Sequence, residues 1–232
     1  MESFLYLAAS SDPGLFEYFL YSNWAGRIII LILALGSVIA WTVMVAKAIE
    51  LRLIRAANLR FERNLRRGEP LLQLDLTELK TRSTPYATLA VAAIQAYFRE
   101  HGEEGRTEAA PGRTNPVETA LQRVIARQTF AYESRMVMLA SIVTGAPFLG
   151  LLGTVWGVMD AFGSVALAGS ATLRSLAPGV SGALLTTVAG LVVAIPSVFG
   201  YNFLLTRIRQ LTMELENFAS SVADRIELET RP

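Results

Sequence analysis

Three threonines, Thr154, Thr186 and Thr187, lie in two apolar stretches that otherwise offer little chemistry. A hydroxyl donates and accepts hydrogen bonds but neither gains nor loses a proton at neutral pH. Thr154 precedes Asp160 by six residues and Thr187 follows Pro178 by nine, so each lies about 9 to 14 Å from one helix boundary. Antiparallel helices would bring the two hydroxyls to a similar depth. They either bond their own i−4 carbonyls and hold helices together, or line a polar path and hydrogen-bond an acid supplied by another chain.

Asp, Glu, Lys, Arg and His are absent from the three long uncharged windows of the sequence, Ile28–Ala46, Met136–Met159 and Ser175–Thr206. A proton relay inside a membrane normally needs such a group, because the proton must have a base to rest on. We therefore expect that this chain cannot relay protons alone. An intramembrane hydrolase is excluded as well, since no His, Asp or Lys is present there to activate a serine.

Enzymatic and metal chemistry have little support elsewhere in the sequence. The chain has no cysteine, and its one histidine, His101, lies in a polar stretch. No nucleotide-binding glycine motif occurs, so no cofactor is predicted. A net charge of +1 with dispersed basic residues also argues against nucleic acid as a partner. We predict a protein that is not an enzyme.

Small residues recur at helical spacing in the same two stretches that carry the threonines. A stripe of this kind lets helices approach closely in a membrane, as in a pore or rotor wall. The predicted packing positions are Ala146, Gly150, Gly153 and Gly157 in the first stretch and Ala183, Gly190 and Ala194 in the second. Positions with a predicted hinge or structural role are Pro147, Pro178, Pro196, Tyr201 and Asn202. Pro196 is either a kink that turns Tyr201 and Asn202 inward or a tolerated bend.

A hydrophobic fraction of 52% in 232 residues indicates a membrane protein. The three windows hold 19, 24 and 32 residues, against the ~20 that one crossing requires. We predict an all-α membrane protein with three transmembrane helices, of which spans two and three continue as long helices into a cytoplasmic helical domain. The predicted spans are residues 25–46, 136–161 and 178–206.

Basic residues set the orientation. Residues 1–26 contain none, Lys47–Arg135 contains 15, and the connection between spans two and three contains only Arg174. By the positive-inside rule the N-terminus and that connection are periplasmic, and the middle segment and the C-terminus are cytoplasmic.

The segments outside the spans follow from this topology. We predict a periplasmic amphipathic segment at 1–24, a cytoplasmic helical domain at 47–135 with a flexible loop near 101–116, a periplasmic hairpin at 162–177 and a cytoplasmic helix at 207–232. Thr84 and Pro85 mark a helix start. No helix-breaking residue occurs between Val117 and Gly145, which predicts one continuous helix entering span two.

Two segments of the sequence resemble the MotA/TolQ/ExbB proton-channel family, in its TolQ and ExbB branch. The matching residues are Ala146–Met159 with Ala161 and Phe162, and then Ala177–Ser181, Ala183–Thr187, Gly190–Leu191, Ala194–Pro196 and Tyr201–Asn202. In that family the threonines at the positions of Thr154 and Thr187 line the proton route. Gly182 departs from the pattern, because many relatives carry a glutamate there.

The resemblance implies a homo-pentamer in the bacterial inner membrane, in contact with membrane lipid. A single-span protein of the ExbD/TolR type would supply a membrane aspartate. Proton flow would then drive mechanical work on a TonB- or TolA-like protein that spans the periplasm. The alternative from the sequence is a non-conducting oligomeric membrane scaffold, which would explain the glycines but not the paired hydroxyls.

Overall fold

The protein is described by a computed structural model over residues 19, 22–66, 70–74, 79, 84–101, 115–168 and 173–230. In these ranges it consists of helices, and the described residues include no strand. The α-helices whose bounds lie within the described residues are α1 (Trp24–Arg66), α2 (Pro85–His101), α3 (Pro116–Glu133), α4 (Met136–Ala168) and α5 (Leu173–Thr230). A short 3₁₀ helix occupies Leu71–Gln73.

The predicted all-α fold with three helices that could span a membrane is confirmed for the described residues. Three stretches, Trp24–Leu65, Pro116–Ala166 and Leu176–Thr230, contain helix long and apolar enough to cross a membrane. The helices run beyond the predicted spans, since α4 ends at Ala168 and α5 begins at Leu173, inside the predicted hairpin. The predicted segment 1–24 and loop 101–116 lie mostly outside the described residues.

The expected continuous helix from Val117 is interrupted at Ser134 and Arg135, between α3 and α4. Arg135 has a φ of 67°, in the left-handed region that a non-glycine residue seldom adopts. The Ser134 N–H bonds the carbonyl of Ala131 at 3.2 Å and closes the last turn of α3. Neither glycine nor proline marks the break, so the sequence carried no signal for it.

Helix starts outside the spans follow ordinary capping chemistry. The Asn115 side chain accepts from the Val117 N–H at 3.0 Å, and Pro116 occupies the first turn of α3. The Thr84 hydroxyl accepts from the Ala87 N–H at 3.2 Å, so the predicted start of α2 is confirmed.

The chain divides into two compact units. The transmembrane unit comprises residues up to Met44 and Met136–Tyr201, and the polar unit comprises Val45–Arg135 and Asn202–Pro232. The transmembrane unit has a small apolar core formed by Ile29, Leu33, Ala146, Val193 and Ala194. Large side chains such as Phe148 and Phe199 remain exposed on its surface, as is expected of residues that face lipid or another subunit.

Candidate functional site

The backbones of helices α4 and α5 lie in contact where glycines occupy the facing sides of the two helices. A Cβ atom on Gly157 would lie 2.6 Å from the Cβ of Ala183, and one on Gly190 would lie 2.6 Å from the carbonyl oxygen of Ala146. Real Cβ atoms do not occupy such positions, so any larger residue would separate the helices. The four glycines that pack in this way are Gly150, Gly153, Gly157 and Gly190.

Three threonine hydroxyls meet where the glycines let the helices close. The Oγ1 atoms of Thr154 on α4 and Thr187 on α5 form a direct hydrogen bond. The Oγ1 atom of Thr186 lies 3.4 Å from that of Thr154. The structure therefore brings all three predicted threonines into one hydroxyl cluster, which we define as Thr154, Thr186 and Thr187.

Two backbone carbonyl oxygens complete the cluster. The oxygen of Gly150 lies 2.9 Å from the Thr186 hydroxyl, 3.2 Å from that of Thr187 and 3.3 Å from that of Thr154. The oxygen of Ala183 lies 2.6 Å from the Thr186 hydroxyl and 3.1 Å from that of Thr154. Each hydroxyl has one proton to donate, so the three protons have more acceptors within reach than they can fill at once. The hydrogen bonds can therefore be rearranged without moving a helix.

Burial distinguishes the three threonines. Thr186 has no exposed surface, whereas Thr154 and Thr187 are half-buried. A group from outside the chain can therefore approach Thr154 or Thr187 but not Thr186. The Thr186 hydroxyl lies within hydrogen-bond distance of one carbonyl on each helix, and donation to the Gly150 carbonyl holds α4 against α5.

The cluster is electrically neutral. Within the described residues no charged side chain hydrogen-bonds any of its three hydroxyls. Asp160 lies six residues after Thr154, about 9 Å along α4, and its exposed carboxylate accepts from the Asn23 amide at 3.3 Å. The hydroxyls can therefore hydrogen-bond a proton carrier but cannot act as one.

The sequence profile of the MotA/TolQ/ExbB proton channel family matches residues 90–217, more than half of the chain. The chain belongs to this family. The matched range contains all of α4 and the part of α5 that carries Thr186 and Thr187.

Individual members of the MotA/TolQ/ExbB family show the same similarity. A biopolymer transport protein ExbB of Xanthomonas campestris pv. campestris is 35% identical over 150 residues, which are 63% of this chain and 59% of that protein. An ExbB of Neisseria meningitidis is 31% identical over 201 residues, which are 85% of this chain and 90% of the relative. A Tol-Pal system protein TolQ of Haemophilus influenzae is 28% identical over 211 residues, covering 90% of this chain and 92% of the relative.

Gly182, which the sequence analysis identified as a departure from the family resemblance, is buried on α5 next to Ala183. No carboxylate is present at this position in the chain. Any role of a buried acid beside the cluster would therefore fall to another residue.

The other predicted positions lie apart from the cluster. Tyr201 is half-buried and Asn202 is exposed, about 21 Å beyond Thr187 along α5. The helices continue through the predicted prolines, which are Pro147 in α4 and Pro178 and Pro196 in α5.

Lys47 is a buried polar residue that sequence reasoning missed. Only 1% of its side chain is exposed. Its Nζ lies 2.9 Å from Oε1 of Glu50, 3.2 Å from the carbonyl oxygen of Ala131 and 3.3 Å from the Ser134 hydroxyl. These contacts occupy all three ammonium donors and fix the end of α3 to α1.

A partial signal for the Lys47 site is present in the sequence. Glu50 follows it by three residues, a helical spacing at which opposite charges meet. The partners on α3 are 84 and 87 residues away, so burial of the ammonium could not be foreseen.

Proposed function

We propose that this chain is the channel subunit of a proton-driven complex in the bacterial inner membrane, of the ExbB–ExbD or TolQ–TolR type. The complex converts the proton motive force into mechanical work on a TonB- or TolA-like protein that spans the periplasm. Family membership supports the class of protein. The observation that carries the proposal is a neutral, rearrangeable hydroxyl cluster between two apolar helices.

A partner must supply the base. The three uncharged windows contain no Asp, Glu, Lys, Arg or His that could take up and release the proton, so we assign that role to the membrane aspartate of an ExbD/TolR-like single-span protein. A hydroxyl can donate to the aspartate when it is ionised and accept from it when it is protonated. Thr154 and Thr187 would thereby stabilise both states of the carboxyl group during proton transfer.

The three threonines then have different tasks. Thr154 and Thr187 are half-buried and bonded to each other, which suits them to meet the partner's carboxyl group. Thr186 is fully buried and bonds the Gly150 carbonyl, which suits it to hold the two helices in register. A change at Thr186 should therefore affect assembly before it affects proton flow.

The subunits would form a ring, and we propose a homo-pentamer around the single-span partners. The exposed apolar side chains of the transmembrane unit, including Phe148 and Phe199, provide surface for contacts between copies and with lipid. The distribution of Lys and Arg supports a periplasmic N-terminus and a cytoplasmic C-terminus.

Valine substitution of the two accessible threonines tests the mechanism. Thr154→Val and Thr187→Val keep the shape of the side chain but remove the hydroxyl. With the partner co-reconstituted in liposomes and a pH-sensitive dye inside, each variant should conduct protons about tenfold more slowly, the equivalent of one hydrogen bond to a charged group. The matched control is Thr144→Val on the same helix, whose exposed hydroxyl bonds only carbonyls of its own helix, at 3.0 Å from Ala140 and 3.3 Å from Ser141.

The outcome separates this proposal from a scaffold. The chain reconstituted without its partner, or with a partner whose membrane Asp is changed to Asn, should carry almost no proton current. Normal conduction by both valine variants, or a strong current from this chain alone, would overturn the shared site. An assembled complex that never conducts would favour the non-conducting scaffold.

A further inference from the structure

A second site lies in the polar unit, in a groove between α1 and α5. The groove has a volume of about 140 Å³ and is lined by two kinds of side chain. Arg52, Arg55 and Arg207 contribute guanidinium groups, while Leu51, Phe203 and Leu204 are among its apolar lining residues. No acidic residue lines it. We call it the arginine groove.

The arginine groove lies where the predicted spans end. Its α1 wall begins at Ala48, two residues after the first uncharged window, and its α5 wall runs from Phe203 to Leu211, across the end of the third window at Thr206. With the predicted topology, the α1 wall begins just beyond the cytoplasmic boundary of the membrane and the α5 wall crosses that boundary. The inference rests on these span boundaries and not on proton conduction.

The guanidinium groups of the three arginines differ in how far their charges are compensated. Arg55 pairs with Glu214 at 2.7 Å, so its charge is largely compensated. Arg207 donates to the Gln210 side chain at 3.1 Å and lies over the Phe203 ring at 5.2 Å, so it is oriented without being neutralised. Arg52 has no hydrogen bond or ion pair within the described part of the chain. Two uncompensated positive charges therefore face the groove.

We propose that the arginine groove binds the phosphate of an anionic phospholipid from the cytoplasmic leaflet. Arg52 and Arg207 would contact the phosphate, because guanidinium groups match phosphate oxygens in geometry and charge. Phe203 is 48% exposed and lies on the apolar side of Arg207 along α5. The groove thus presents apolar surface and then positive charge in the same order as a lipid presents its acyl chain and its phosphate. This order favours a lipid over a soluble anion or an acidic face of a second subunit.

Lipid retention measured by native mass spectrometry tests this assignment on the intact complex. The complex, purified in neutral detergent, is titrated with phosphatidylglycerol or phosphatidylcholine of equal chain length. We expect preferential binding of phosphatidylglycerol, and the double variant Arg52→Gln/Arg207→Gln should weaken it about 25-fold, roughly fivefold for each arginine. The matched control is Arg60→Gln/Arg209→Gln, which removes the same charge from exposed positions of the same two helices outside the groove. This control should leave the affinity for phosphatidylglycerol within about twofold of the wild-type value.

Three results would overturn the proposal. Equal losses in the two double variants would show a general attraction to boundary charge. Displacement of the lipid by millimolar glycerol 3-phosphate would show a site for a soluble anion. Dissociation of the ring in the groove variant, with lipid still bound to the subunits, would show that a second copy occupies the groove. None of these readouts depends on proton flow, so they leave the proposed channel function to its own test.

Discussion

The hydroxyl cluster and the Lys47 site bury polar groups in opposite ways. In the transmembrane unit three neutral hydroxyls share two carbonyl acceptors, and several hydrogen-bond patterns are within reach. In the polar unit one ammonium group uses each of its donors on a separate fixed partner. The first arrangement can be rearranged at little cost, whereas the second cannot.

This difference separates a site whose hydrogen bonds can change, the hydroxyl cluster, from a contact that holds two helices together, the Lys47 site. Burying a charge is expensive unless every donor is satisfied, so a buried lysine with three partners fixes the backbone around it. Hydroxyls cost less to bury and can exchange donor and acceptor roles. The cluster therefore suits a path along which a partner's carboxyl group changes protonation, and Lys47 suits the fixed join between α1 and α3.

The largest effect is expected where the helices of the cluster touch. Gly190→Leu places a Cβ 2.6 Å from the Ala146 carbonyl, a backbone atom that cannot turn aside. We expect a loss of about 3 kcal/mol in stability and failure to form the ring, with membrane insertion intact. The melting temperature in detergent and the mass of the assembled complex, expected to be five subunits, measure the two effects.

Gly145→Leu is the matched control for that prediction. It makes the same substitution on α4 at a glycine with no heavy atom within 4 Å of the added Cβ. Normal assembly and activity of Gly190→Leu, or an equally unstable Gly145→Leu, would show that the close approach of α4 and α5 does not govern assembly.

Removal of the buried Lys47 charge is expected to have the next largest effect on stability. Lys47→Met keeps the length of the side chain but leaves the Ser134 hydroxyl and the Ala131 carbonyl without their ammonium donor. Glu50 is 41% exposed, so water can solvate its carboxylate once the ammonium group is gone. We therefore expect the free energy of unfolding to fall by about 2 kcal/mol, less than for a charge partner that is fully buried. Amide hydrogen exchange at residues 131–135 should rise, because the end of α3 is released from α1.

Arg60→Met makes the same kind of change at an exposed position of α1 and should alter stability by less than about 0.5 kcal/mol. Equal melting temperatures for Lys47→Met and the wild type would contradict the fixed join. So would a lower melting temperature without faster exchange at the break between α3 and α4.

Sequence periodicity could predict the cluster in outline but not in detail. Small residues at helical spacing in two apolar stretches were enough to predict close packing and to bring Thr154 and Thr187 to one depth. Neighbouring helical positions differ by about 100° in direction, so whether Thr186 or Thr187 is buried depends on the rotation of α5 against α4. That rotation is set by the glycine contacts and is visible only in the structure.

Tertiary contacts explain what the sequence could not show. The break at Ser134 and Arg135 has no glycine or proline, and Lys47 bonds the Ser134 hydroxyl from 87 residues away in the chain. Local propensity favours a continuous helix there, and a long-range contact overrides it.

The smallest effect, at alkaline pH, extends the comparison to two tyrosines of the polar unit. Tyr86 stacks on Phe218 at 3.9 Å and donates its hydroxyl proton to the carbonyl of Glu214 at 3.1 Å. Burial, reinforced by the charge of Glu214, raises the pKa of Tyr86 from its ordinary value near 10 to about 12. Burial likewise raises the pKa of Tyr132 to about 12, against a smaller opposite effect of the Asn58 side chain.

Because both folded-state pKa values lie above the unfolded value, the stabilising contribution is complete below pH 10 and is lost as the pH rises toward 12. The melting temperature of the wild type should therefore fall more steeply between pH 10 and 12 than that of Tyr86→Phe/Tyr132→Phe, which has neither phenol to ionise. Absorbance at the phenolate band provides an independent readout, since two of the seven tyrosines should titrate about two pH units later than an exposed one. Parallel stability curves for the two proteins would show that these phenols are not fixed in the interior. The contrast between fixed polar groups in the polar unit and a rearrangeable hydroxyl cluster would then rest on Lys47 alone.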